Sequence, residues 1–233
     1  MRQEEYIEKL LQAYSLVAVL SQKNNCKVLR FRNKKTGKDL VLRSFPHPLP
    51  AYEKLQNIRC RYLPEIYDVL AMEDGQIVLE EYIDGITVAQ VMEIGKYRYA
   101  GARKVLFGVC DALAVLHDRG IIHRDVKPEN VMIEQSGRVV LIDFNASRME
   151  SSASKDTVIM GTVGYASPEQ LGISQTDART DIYAAGVLYN VMLTGQHPSV
   201  TIASGKAGRI VRKCTAVNPD ERYQTAEGLR CAL

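Results

Sequence analysis

The rhythm of apolar and polar positions changes along the chain, and each change predicts a different kind of element. Over residues 2–13 (RQEEYIEKLLQA), Tyr6, Ile7, Leu10 and Leu11 recur at helical spacing among acids and amides, which predicts a short amphipathic helix. From Ser15 to Phe45 that period is lost. The stretches 16–20, 26–31 and 40–42 are rich in β-formers, and Asn33-Lys34-Lys35-Thr36-Gly37 between the last two is turn chemistry, so a small antiparallel sheet is expected. Pro46, Pro48 and Pro50 forbid regular structure until a helix begins near Ala51. Residues 66–69 and 76–80, on either side of Glu73-Asp74-Gly75, read as two more strands.

After Gly85 the pattern turns helical. Val105, Leu106, Val109, Cys110, Leu113 and Leu116 define one long, largely buried helix over 99–119. Two short strands, 131–133 and 139–142, bracket the turn at Ser136-Gly137, and the Ser/Thr-rich stretch 148–158 reads as a loop. A second apolar helix is expected over 181–193, and one or two more over 209–233. A β-rich first third followed by a helical remainder is an α+β pattern in two lobes, which divides the chain into 1–84 and 85–233.

Composition narrows the setting. At 46% hydrophobic and 24% charged, the chain is an ordinary globular protein with material for a real core. A net charge of +3 without a dense Lys/Arg stripe gives no case for nucleic acid. Cys26, Cys60, Cys110, Cys214 and Cys231 are odd in number and lack metal-ligand or redox spacing, so reduced thiols in a cytoplasmic protein are expected. Met1-Arg2-Gln3-Glu4-Glu5 lacks the apolar core of a leader, and the apolar runs fall far short of the ~20 residues that span a bilayer. No membrane contact is expected within this chain.

The most informative stretch is His123-Arg124-Asp125-Val126-Lys127-Pro128-Glu129-Asn130, which follows the long helix and precedes a hairpin ending in Asp143-Phe144-Asn145. It supplies one carboxylate, a lysine two residues on, an amide five residues on, and a second carboxylate across a hairpin. Phosphoryl transfer needs such a set: a carboxylate to orient the acceptor hydroxyl, an amide and a carboxylate to hold metal, and a cation to offset the transferred charge.

In order and spacing these residues resemble the H-R-D-x-x-x-x-N and D-F-G signatures of the protein kinase family. The resemblance implies a bilobal kinase-like fold, ATP and Mg²⁺ as cofactors, and protein substrates with serine or threonine acceptors. It implies Asp125 as catalytic base, Asn130 and Asp143 as Mg²⁺ ligands, and Lys127 as a phosphate contact. A lysine at position 127 is a mark of the serine/threonine type. Gly161-Thr162-Val163-Gly164-Tyr165-Ala166-Ser167-Pro168-Glu169 resembles the end of a kinase activation segment, with Ser167 where the family has alanine. By that resemblance Thr162 contacts Asp125 and Lys127, Glu169 pairs with Arg222, and Asp181 ties its helix to the catalytic loop. Arg124 precedes the base, where the family often gathers an activation-segment phosphate. Ser151, Ser152, Ser154 and Thr157 are the candidates for it, with autophosphorylation expected within 151–162.

Toward the N-terminus the resemblance weakens. The three glycine positions of the family's phosphate loop fall on Ser21, Lys23 and Cys26, between Leu20 and Val28, and Lys23 is the charge that remains there. The V-A-I-K strand becomes Leu40-Val41-Leu42-Arg43, with Val41 on the adenine pocket and Arg43 in place of the ATP-anchoring lysine. Glu53 is the residue best placed to act as the family's helix glutamate, so an Arg43–Glu53 pair is expected. Glu80 falls at the gatekeeper position, with Arg43 a candidate partner, and Glu81-Tyr82-Ile83 at the hinge, which gives Glu81 and Ile83 as nucleotide contacts. Asn145 replaces the glycine of D-F-G, where left-handed backbone is expected of it. Two readings follow. One is a serine/threonine protein kinase with atypical nucleotide binding; the other is a catalytically impaired pseudokinase that acts as a binding or regulatory module. A small-molecule phosphotransferase is set aside, because the 161–169 block belongs to kinases of protein substrates.

Overall fold

The computed structural model describes residues 1–23, 25–150, 162, 164–171 and 175–233, arranged as two compact units. The first comprises residues 1–60 and 64–83, the second residues 61–63 and 84–233. Ser151, Ser152, Ser154 and Thr157 lie outside the described residues.

The first unit is built on a five-stranded antiparallel sheet in the order β1-β2-β3-β5-β4, with β1 Tyr14–Lys23, β2 Cys26–Asn33, β3 Asp39–Phe45, β4 Ile66–Met72 and β5 Gly75–Glu81. Because side chains alternate across a strand, register decides what each face carries. Leu29 opposite Leu42 and Phe31 opposite Leu40 share one face with Ile77. Helix α1 (Gln3–Ala13) lies on that face through Tyr6, Ile7 and Leu10. Each fully buried sheet side chain, such as Phe31, Leu42 or Ile77, contributes roughly 1.5–3 kcal/mol. The opposite face carries Val28, Arg30, Val41, Arg43, Val78 and Glu80. The proline run ends in α2, Pro50–Leu55, with Pro50 in its first turn, where a missing N–H costs nothing. Ala51, Tyr52 and Leu55 form its buried stripe, and Phe45 meets Tyr52 at a ring separation of 5.4 Å.

The second unit opens with strand β6 (Gly85–Thr87) and α3 (Val88–Ile94), whose N-cap Thr87 accepts from the Gln90 amide. Helix α4 (Tyr99–His117) buries Val105, Leu106, Val109, Leu113 and Leu116. Strand β7 (Ile121–Ile122) leads into the catalytic-loop sequence, and β8 (Val131–Glu134) and β9 (Val139–Leu141) form the expected hairpin. The hairpin sits hard on α4: a Cβ on Gly108 would lie 2.7 Å from that of Val139, so only glycine allows this approach. Strand β10 (Arg148–Met149) pairs with β7. Helix α5 (Ala178–Thr194) is capped by Asp177 and ends at Gly195, whose φ of +73° closes the helix in left-handed geometry. Helices α6 (Gly205–Cys214) and α7 (Ala226–Ala232) complete the unit.

Candidate active site

The catalytic-loop residues converge because the loop is anchored from several sides. Asp181, fully buried in the first turn of α5, accepts the backbone N–H groups of His123 (2.9 Å) and Arg124 (2.8 Å) and meets His117 Nε2 at 2.8 Å. Burial pushes the Asp181 carboxyl up, but the His117 bond, the nearby histidine rings and the backbone amide outweigh it and hold the group below the usual aspartate range. This anchor sustains Arg124 at φ +63°, a left-handed conformation that costs a non-glycine residue roughly 1–2 kcal/mol. Arg124 Nε also donates to the Ala146 carbonyl at 2.7 Å.

Around Asp125 the hydrogen bonds close on themselves. Thr162 Oγ1 donates to Asp125 Oδ1 at 2.7 Å and accepts from Lys127 Nζ at 2.7 Å. Lys127 Nζ lies 2.7 Å from Asp125 Oδ2. The Asn130 amide nitrogen donates to both the carbonyl and Oδ2 of Asp125, each at 2.8 Å. Partial burial raises the Asp125 carboxyl, yet the bonds from Lys127 and Thr162 win and lower it, so it is ionised at neutral pH.

Val131 pairs with Leu141, and the Ile142 amide bonds the Asn130 carbonyl at 2.9 Å, so the β8–β9 hairpin brings Asn130 and Asp143 to the same end. Asp143 stands at φ +69°, and its carboxylate accepts from the Asn145 amide at 3.2 Å. The left-handed residue of this motif is therefore Asp143 and not Asn145, as had been expected. That removes any backbone penalty for the missing glycine. Phe144 is fully buried, edge-on to His123 at 5.6 Å. With its nitrogen committed to Asp125, the Asn130 amide keeps its oxygen for a ligand. An amide oxygen and a carboxylate are hard donors, so the pair fits a magnesium ion.

Sequence reasoning missed two contributors. Gln170 donates to the Arg124 carbonyl at 2.8 Å and accepts from the Ser167 amide at 3.1 Å, linking the end of the activation segment to the catalytic loop. The signal was legible as Ser167-x-x-Gln170, a helix-start pattern. His117 gave no such signal, because only α5 packing brings it to Asp181. The Glu169–Arg222 pair is bidentate, at 2.6 and 2.9 Å.

The first unit carries the remaining candidates. Arg43 faces Val78 and Val41 faces Glu80, so Arg43 and Glu80 are diagonal neighbours on one sheet face. Arg43 Nε bonds Glu80 Oε1 at 2.6 Å, with side-chain exposures of 8% and 4%. The expected Arg43–Glu53 latch is thus replaced by a pair within the sheet, because Glu53 lies exposed, off the buried stripe of α2. On the same face Arg30 and Arg32 bind Asp39, and those bonds, Arg32 first, hold its carboxyl down to about 2. Val41 is buried, Val28 half-buried and Ile83 buried. Glu81 bonds Glu65 through its amide and its carboxylate. Lys23 is exposed and pairs with Cys26, with Asn25 at φ +61°, so β1 and β2 remain paired right to the position of the phosphate loop.

Comparison with known proteins places this fold in a family. Residues 25–229 match the protein kinase domain family, and the chain belongs to that family. It is 33% identical over 184 residues to the serine/threonine-protein kinase PknB of Mycolicibacterium smegmatis, covering 67% of this chain and 29% of that protein. It is 32% identical over 213 residues to a probable serine/threonine-protein kinase of Clostridium perfringens, covering 80% of this chain and 31% of that one. The chain thus spans about three-tenths of the length of these relatives. Among the described residues no helix is long and apolar enough to cross a membrane.

Proposed function

We propose that this chain is the kinase domain of a serine/threonine protein kinase, transferring the γ-phosphate of ATP to serine or threonine hydroxyls of protein substrates in the cytoplasm. The observation that carries this reading is the closed set Asp125–Lys127–Thr162–Asn130, in which an ionised carboxylate is held in one orientation. Asp125 accepts a hydrogen bond from the incoming hydroxyl and stabilises its proton as it leaves. Lys127 offsets charge on the transferred group, and Thr162 fixes both side chains. Asn130 and Asp143 would hold Mg²⁺, which would supply charge neutralisation of the phosphates. Arg43, Lys23, Val28, Val41, Glu81 and Ile83 are the proposed nucleotide contacts. Autophosphorylation within 151–162 belongs to the same proposal.

A second reading, a pseudokinase, is favoured by one observation: the Arg43 guanidinium is buried against Glu80. Thermal shift with Mg-ATP, paired with radiolabel transfer to a generic protein substrate, separates the two. Stabilisation, with transfer that disappears in Asp125→Ala, is the outcome expected of a kinase. No stabilisation at millimolar Mg-ATP would leave a binding module.

A further inference from the structure

We propose that Glu80 on β5, rather than Glu53 on α2, is the positioning residue for the nucleotide-anchoring cation, so that the anchor is assembled entirely within the sheet. The inference rests on the nucleotide-binding reading above and deepens it. Three observations carry it. The β3–β5 register sets Arg43 diagonal to Glu80 on one face, and the bond between them is 2.6 Å with both side chains buried. A carboxylate delivered by the neighbouring strand is fixed by the backbone ladder, whatever α2 does. Helix α2 is only six residues long, and its buried stripe of Ala51, Tyr52 and Leu55 leaves Glu53 exposed.

The arginine then has a reason. A lysine ammonium is a point charge, whereas a guanidinium carries five donors in a rigid fork. Arg43 gives Glu80 its Nε–H, a directed bond from one side of that fork. The exchange of lysine for arginine at position 43 and the acid at position 80 are therefore one coupled change. Along the same face, Arg30 and Arg32 are neutralised in the same cross-strand manner by Asp39, so Arg43–Glu80 is the rung next to the expected nucleotide contacts Val28 and Val41.

The test is isothermal titration of Mg-ATP into the wild-type chain and into Glu80→Gln, Glu80→Asp and Glu53→Gln, with melting temperature recorded for each. Glu80→Gln should weaken Mg-ATP by about tenfold, the effect of exchanging an ionised acceptor for a neutral amide oxygen in the bond that positions Arg43. Glu80→Asp should recover part of that loss, and Glu53→Gln should bind as wild type does. Weakened binding in Glu53→Gln overturns the inference even if Glu80→Gln fails to fold. So does an unchanged affinity in a folded Glu80→Gln whose melting temperature alone has dropped, since that is a purely structural pair. If the wild-type chain takes up no Mg-ATP, the nucleotide-binding reading itself has failed, which is visible before any variant is compared.

Discussion

Each unit of this kinase domain buries an arginine–glutamate pair, and the two are built differently. In the second unit Arg222 grips Glu169 with both Nη groups and also donates to the carbonyls of Ala216, Arg179 and Val217, while Thr180 bonds the same carboxylate. That pair closes a loop onto a helix and touches none of the proposed chemistry. In the first unit Arg43 meets Glu80 through Nε, across two adjacent strands, on the face that holds the proposed nucleotide contacts. One buried charge pair serves as a fold clamp and the other as an adapted anchor. Burial alone does not distinguish them; what surrounds the guanidinium does.

The sharpest way to break this contrast is at Asp125, the proposed catalytic carboxylate. Asp125→Ala should lower phosphoryl transfer by about 10²–10⁴-fold, the range for general acid–base groups, while leaving Mg-ATP affinity in place. Transfer rates and titration calorimetry on one preparation check it. Arg222→Met should strand Glu169 and cost about 3–5 kcal/mol in urea unfolding. For the anchor, Glu80→Leu alone should be strongly destabilising, but adding Arg43→Met should restore stability to near wild type, since apolar replacement of a buried pair is often neutral. A double variant as unstable as the single one would mean the pair is a clamp like Arg222–Glu169.

Acid should act on both units, on Asp39 in the first, whose carboxyl is held down to about 2, and on three carboxyls in the second. Asp125, Glu169 and Asp181 are all held below their ordinary values, so their contribution is complete above the usual carboxylate range, about pH 4, and is lost as pH falls through the lower folded values. Circular dichroism should show unfolding begin below that range, and Asp181→Asn should flatten this limb of the titration; an unaltered limb would remove Asp181 from the account. The smallest effect is expected at Glu53, where Ala should change stability by no more than about 0.5 kcal/mol, as for exposed positions generally.

How much of this was legible in the residues follows the same division. The long helix, the hairpin and the presence of the strands follow from periodicity and turn chemistry, whereas the order β1-β2-β3-β5-β4 does not. The contacts of Thr162, Asp181, Glu169 and Arg222 were expected because family motifs fix them at set places in the chain. Glu80 was legible as an acid in need of a partner, yet the competing choice of Glu53 for Arg43 survived until the strand register was known, because diagonal neighbours depend on pairing that local sequence does not state. Asn145 misled for a related reason. The position of a left-handed residue within a tight turn can shift by two residues without changing the motif. Gln170 was signalled by Ser167-x-x-Gln170 but its bond to the Arg124 carbonyl was not, and His117 became visible only through packing.

Asp181 has a consequence for when the proposed site can assemble. The carboxylate that locks the catalytic loop lies 58 residues downstream of His123. On a growing chain the loop therefore emerges well before its lock and cannot hold the left-handed turn at Arg124. On the proposed reading the site is complete only once α5 has been made and docked, so folding of the second unit must precede any transfer.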